Sequence, residues 1–230
     1  GDNNIAIGTA AGDALTSGFK NVMIGTDAGG AITSAQDNVV IGFQAGTSLT
    51  DGDFNVAMGF NALVSMVSGD NNVAIGYKAL EDANEDGINR NTAVGHTAAL
   101  NLTTAASTTA IGSRAMGTGV VTGDNNTAVG ESAGAVLTSG DSNVLIGSEA
   151  GAANTTGGNN VYIGSGAADV IVDGAGNVVI GKDAFGGVSG ADCDFNIAIG
   201  LDAMLGNSSS TGDQNIGIGR AALGAFTTGQ

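Results

Sequence analysis

The sequence predicts an all-β fold, a parallel β-solenoid of about thirteen coils of 17–19 residues each, on three observations. Glycine recurs as an anchor at Gly8, Gly25, Gly42, Gly59, Gly76, Gly95, Gly112, Gly130, Gly147, Gly164, Gly181, Gly200 and Gly219. The spacings are 17, 17, 17, 17, 19, 17, 18, 17, 17, 17, 19 and 19 residues. Around each anchor the chain repeats one pattern: Asn or once Thr, a β-branched residue, a variable residue, an aliphatic, Gly, two variable residues and Ala. Finally, the apolar positions alternate with a period of two, the signature of a strand.

Each element of the coil follows from its residues, with positions counted from the anchor Gly as 0. At −4 stands Asn in twelve of the thirteen repeats, including Asn4, Asn21, Asn38, Asn55 and Asn72, with Thr108 the exception. Asn bonds its own backbone and tolerates turn dihedrals, and Gly permits positive φ or close backbone approach, so the two mark corners. Between them, a β-branched residue at −3 and Ile, Val or Met at −1 form a short strand with two aliphatics on one face. The expectation is that this pair points inward. A second, weaker strand is predicted near +7, where Leu15, Ile32, Leu49, Met66, Leu102, Leu137, Ile171, Val188 and Phe226 are apolar, followed at +8 by Thr16, Thr33, Thr50, Thr103, Thr138, Thr155 and Thr227. Turns such as 69–72 and 123–126 lead into the next coil. Neither strand can bury its face alone, whereas stacked coils can. At about 4.8 Å per parallel ladder step, thirteen coils predict a length of roughly 60 Å. The array covers residues 1–230 as a single repeat domain, and its lack of caps predicts part of a longer fibre protein or end-to-end assembly.

Composition narrows the function. With 41 Gly, no Pro, no Trp and 12% charged residues, against a usual value of about 25%, a large conventional core is not expected. The ordered placement of Ile and Val in a 42% hydrophobic chain argues against disorder. The net charge is −16, and the six cations Lys20, Lys78, Arg90, Arg114, Lys182 and Arg220 are scattered singly, so nucleic acid is an improbable partner. No run of 18 apolar residues exists to span a membrane, and residues 1–8 lack a signal peptide's pattern. Cys193 is the sole cysteine and reads as a small buried or half-buried hydrophobe.

Catalytic chemistry finds no support. His96 is the only histidine, no Ser/His/Asp set recurs at a fixed spacing, and no Cys/His cluster suits zinc. The glycine-rich repeats lack the Lys and Ser/Thr of a phosphate loop. No enzyme and no cofactor are expected, with one metal alternative. Asp stands two residues before the Asn in seven repeats, and Asp53, Asp70, Asp124 and Asp141 are candidate calcium ligands if stacked coils bring their oxygens together. Asp in a turn also has a purely structural role. The Thr positions at +8 permit an ice-binding reading, although Val67, Asn84, Val120 and Val172 interrupt the row. The longest spacers, residues 81–90, 186–195 and 205–214, are candidate binding loops or tolerated insertions.

The −2 position, between the two aliphatics, is apolar or Gly in every repeat. If it faces outward, as expected here, it forms an apolar stripe of a kind that monomers rarely expose. Ala57, Ala74, Ala93, Ala110 and Ala128 are then candidate interface residues for a homotrimer. The units at 1–12 (GDNNIAIGTAAG), 69–80 (GDNNVAIGYKAL) and 123–134 (GDNNTAVGESAG) resemble the head repeats of YadA-type trimeric autotransporter adhesins and the related β-roll repeats of phage tail fibres. The likeness runs along all 230 residues, through the Asn, the aliphatic pair, the Gly and the Ala, while the repeat here is longer than the typical adhesin head repeat. The resemblance implies a trimeric left-handed parallel β-roll, and an extracellular location on a bacterial surface or virion. It implies a structural or adhesive role as a fibre segment for cell or host attachment. Host surface, matrix and glycan are the receptor classes that remain open, and a tail fibre shaft, an end-to-end surface filament and an ice-binding solenoid are the alternatives.

Overall fold

The computed structural model describes residues 1–84, 88–187, 193–206 and 212–224. The chain is all-β: thirteen three-residue parallel strands wound as a β-solenoid, with no helix among the described residues. It divides into two compact units, Gly1–Arg114 and Ala115–Gln230. The first holds β1 (Ile5–Ile7), β2 (Val22–Ile24), β3 (Val39–Ile41), β4 (Val56–Met58), β5 (Val73–Ile75), β6 (Thr92–Val94) and β7 (Thr109–Ile111). The second holds β8 (Thr127–Val129), β9 (Val144–Ile146), β10 (Val161–Ile163), β11 (Val178–Ile180), β12 (Ile197–Ile199) and β13 (Ile216–Ile218). Within each unit equivalent positions pair in register, as in Val56↔Val73, Ala57↔Ala74 and Met58↔Ile75. Each strand spans −3 to −1, bounded by the Asn and the Gly as the sequence predicts.

The second strand expected near +7 does not form, and the reason is the backbone. Residues at −5, +2 and +4 take left-handed φ in coil after coil, for example Phe54 (φ 59), Asn61 (φ 54) and Leu63 (φ 58) around β4. Extended structure cannot run through such alternation, so the chain turns tightly from +1 to +6. Bonding between coils survives at single residues: the Thr33 amide donates to the Thr50 carbonyl at 2.9 Å, and the Gln44 amide to the Thr26 carbonyl at 2.9 Å. The +7 side chains are core, with Ile32, Leu49, Met66, Leu102, Leu137 and Ile171 all buried.

The anchor glycine is needed for two reasons. Gly59 sits at φ 139, and a Cβ there would lie 2.4 Å from the Gly76 carbonyl oxygen of the next coil. No L side chain fits that backbone approach.

The strand faces are the reverse of the expectation. The −2 side chain points into the coil and the −3 and −1 aliphatics point out. Ala57, Ala74, Ala93, Ala110 and Ala128 are each 0% exposed within the single chain, so they are core residues and cannot form an interface between chains. Ile75 and Ile111, flanking such alanines, are 36% and 39% exposed. A period of two places −3 and −1 on one face and −2 on the other, but leaves open which is inside. The narrow coil decides it, because the interior must also hold the Ala at +3, the +4 and +7 side chains and the Asn.

Inside, volume is shared between −2 and +4. Large −2 residues lie against glycine: a Cβ on Gly12 would come within 2.6 Å of Met23 Sδ, and one on Gly134 within 2.6 Å of Leu145 Cδ1. Where −2 is Ala57, Ala74 or Ala198, the +4 residue is Leu63, Leu80 or Met204, each fully buried. Constant core volume at native density favours such compensation.

The asparagines form buried ladders. Asn143 Nδ2 donates to the Gly157 carbonyl at 2.9 Å, closing its own coil, and to Asn126 Oδ1 at 3.0 Å. Its Oδ1 accepts from the backbone amide and Nδ2 of Asn160 at 3.1 and 3.0 Å. Asn21, Asn38, Asn55 and Asn72 repeat the arrangement in the first unit. Thr108, which replaces Asn, still donates its amide to Asn91 Oδ1, but its hydroxyl turns back to the Ala106 carbonyl. In the longer coils Asn72 and Asn177 reach the Ile88 and Cys193 carbonyls, sixteen residues on rather than fourteen, so the two extra residues are taken up within the loop that the bond closes.

Candidate interaction surface

Outward from each strand stand two β-branched or aliphatic side chains, −3 and −1, and no charged residue occupies either position in any coil. In the first unit the −3 row runs Ile5, Val22, Val39, Val56, Val73, Thr92, Thr109, and the −1 row Ile7, Ile24, Ile41, Met58, Ile75, Val94, Ile111. The second unit repeats the face with only Thr127 departing from Val or Ile at −3. The acidic residues among the described ones all lie outside the strands. Each unit thus presents an uncharged, largely aliphatic strip, the feature the sequence reading assigned to the −2 row.

A second exposed feature is aromatic. Four consecutive coils carry Phe43, Phe60, Tyr77 and His96 at +1, and the rings stack with centroids 5.3, 5.3 and 5.0 Å apart and planes within 12°. Neighbouring rings cover each other's faces and leave their edges to solvent. Lys78 lies 5.7 Å from the Tyr77 centroid and pairs with Glu81 at 3.1 Å, which holds the ammonium above its usual range. His96 closes this ladder, stacked on Tyr77. Sequence reading passed over it, although four aromatic rings at one repeat position were the available signal.

The predicted calcium ligands are brought together only in pairs, and an oxygen of each of Asp53, Asp70 and Asp141 accepts a backbone amide of the preceding coil. Asp53 Oδ1 and Oδ2 accept from the Gln36 amide and Nε2 at 2.8 and 2.9 Å. Asp70 Oδ1 accepts the Asp53 amide at 2.8 Å, and Asp141 Oδ1 the Asp124 amide at 2.7 Å. These are backbone ladders along a corner, and no group of three His, Cys, Asp or Glu among the described residues is arranged to hold a metal ion. The +8 threonines form a similar ladder, Thr33 Oγ1 donating to the Thr50 carbonyl and Thr138 Oγ1 to the Thr155 carbonyl. Their hydroxyl hydrogens are therefore turned along the chain rather than toward an outside lattice. Parts of the candidate binding loops, residues 85–87, 188–192 and 207–211, lie outside the described residues.

Two buried groups complete the inventory. Cys193 is buried in the slot that most coils fill with Gly or Ala and one with Ile88, as its sequence reading anticipated. Tyr162 occupies a −2 core position, and burial pushes its phenol well above the ordinary range. No described helix is long and apolar enough to cross a membrane.

Comparison with known proteins gives no family model, no curated protein and no solved structure that matches this chain.

Proposed function

We propose that the chain is a structural segment of an extracellular fibre on a bacterial surface or virion, in which copies of the chain pack through their outer strand faces. Three copies is the number that the resemblance to trimeric autotransporter adhesins and tail fibre repeats favours. The observation that carries the reading is the outward −3/−1 pair, aliphatic or Thr in every coil and never charged. Monomers rarely leave a continuous apolar face of this kind in water. Repetition of one coil gives such a segment length without new chemistry. The described residues offer hydrogen-bonded carboxylates and a lone histidine held in an aromatic stack, an inventory suited to a scaffold rather than to turnover. Attachment is the purpose that the resemblance suggests for the assembled segment, with host surface, matrix or glycan as the classes of target.

The test is mass in solution by light scattering, together with negative-stain imaging. The unmodified protein is expected at three chains, and a folded single chain would overturn the reading. Two substitutions one residue apart separate interface from core. Ile75→Glu is expected to leave a folded chain of lower mass, whereas Ala74→Glu, placing a charge in the coil interior, is expected to unfold it.

A further inference from the structure

The outer face poses a register problem. Its aliphatic rows repeat at the coil spacing of about 4.8 Å, so a copy shifted by one coil meets nearly the same surface. In β-structure, uniform faces specify alignment weakly. The first unit contains one interruption: Thr92 and Thr109, paired in register on β6 and β7, are the only polar side chains on its strand face. Both are half-buried, and among the described residues neither hydroxyl has a hydrogen-bond partner. The corner threonines differ, since Thr16, Thr33, Thr50, Thr138 and Thr155 each donate to a carbonyl of the next coil.

Resting on the assembly proposed above, we infer that Thr92 and Thr109 set the axial register between copies, their hydroxyls bonding the same threonines of a neighbouring copy where the −3 rows meet. The occupant is a second copy on two grounds. An aliphatic side chain offers about 100 Å² for burial, so fourteen outward positions, five of them exposed by 36–59% and the rest half-buried, give roughly 300–550 Å² from the first unit alone. That is roughly half of the 800 Å² per partner of a stable interface, and the second unit carries the same rows. The rows also carry the chain's own coil spacing, which a second copy matches along the whole face. In register, hydroxyl meets hydroxyl. Shifted by one coil, a Thr hydroxyl faces Val73 of the neighbour and is buried without a partner, which disfavours the slipped state.

Disulfide capture reads the register directly, because a bridge needs Cα atoms within about 7 Å and a one-coil slip changes which positions qualify. In a Cys193→Ala background, one protein carries Val22→Cys and another Val39→Cys. The two are mixed, refolded together and mildly oxidised. Bridges joining 22 to 22 and 39 to 39 are expected, with 22 to 39 nearly absent. Adding Thr92→Val, Thr109→Val and also Thr127→Val, the one further threonine on the −3 row, to both, which keeps the β-branched shape, is expected to raise 22-to-39 bridges to a yield similar to the others at unchanged assembled mass. Thr92→Ser with Thr109→Ser, which retains both hydroxyls, is expected to restore the original pattern. An assembled protein whose valine variant still lacks 22-to-39 bridges overturns the register role alone, as does an assembled parent with no 22-to-22 bridge. A parent protein of single-chain mass overturns the assembly itself.

Discussion

Replacing Asn143 with Ala removes four hydrogen bonds from the interior of one coil, and their partners decide the cost. Asn126 Oδ1 keeps the Asn143 backbone amide at 2.9 Å, the Gly157 carbonyl keeps Asn154 Nδ2 at 3.2 Å, and Asn160 Nδ2 keeps the Gly174 carbonyl at 2.7 Å. The Asn160 backbone amide, whose acceptor is Asn143 Oδ1, keeps nothing. An orphaned buried donor costs about 1–3 kcal/mol, and three bonds whose partners retain other contacts add about 0.5 kcal/mol each, for a total of about 2.5–4.5 kcal/mol. Urea unfolding followed by circular dichroism measures the total. Hydrogen exchange measures the mechanism, because the Asn160 amide should lose more protection than amides elsewhere in the second unit. A loss below about 1 kcal/mol, or an Asn160 amide that exchanges as slowly as before, would refute the ladder as the source of stability.

Three further outcomes follow from packing and charge. Gly59→Ala forces a Cβ against the Gly76 carbonyl at an unfavourable φ and is expected to destabilise by about 3–5 kcal/mol in urea unfolding, more than a typical core overpacking. Ala57→Leu and Leu63→Gly should each destabilise alone, while the double variant, which copies the Leu145/Gly151 coil, should recover at least about 1 kcal/mol relative to additivity in a double-mutant cycle. Burial, together with the charges of Asp183 and Glu149, raises the Asp169 carboxyl above its ordinary range. The folded state therefore holds that proton more tightly than the unfolded chain, and stability declines as pH rises from the unfolded carboxylate range, near about 3.9, through the folded value. Asp169→Asn should raise the thermal midpoint at pH 7, and the gain should shrink toward pH 4.

Much of the coil was legible in the sequence because its constraints act on single positions. The anchor glycines are fixed by φ and by the carbonyl of the next coil, so they recur without exception. Strand limits follow from Asn and Gly on either side. The asparagines were read as corner residues for their backbone preferences, which is half of their role. That they stack into a buried ladder needs the third dimension, since Asn21 meets Ala35 and Asn38 only after the chain has closed a turn. The predicted second strand failed because left-handed φ at non-glycine residues such as Leu63 and Leu80 is imposed by the stack and leaves little mark on composition.

The inverted strand face carries the more general lesson. A period of two is symmetric under exchange of inside and outside, and here both faces are apolar, so hydrophobicity cannot break the symmetry. Size can. The outer rows are held to Val, Ile, Met and Thr, whereas the −2 row ranges from Gly217 to Tyr162. Such variation is tolerated where another interior position compensates, and +4 does so: Gly follows Met23, Val40 and Leu145, while Leu or Met follows Ala57, Ala74 and Ala198. Correlated volume between −2 and +4 therefore marks −2 as core from sequence alone. The uniformity of −3 and −1, which no neighbour within the coil requires, is then what a repeating contact outside the chain would impose.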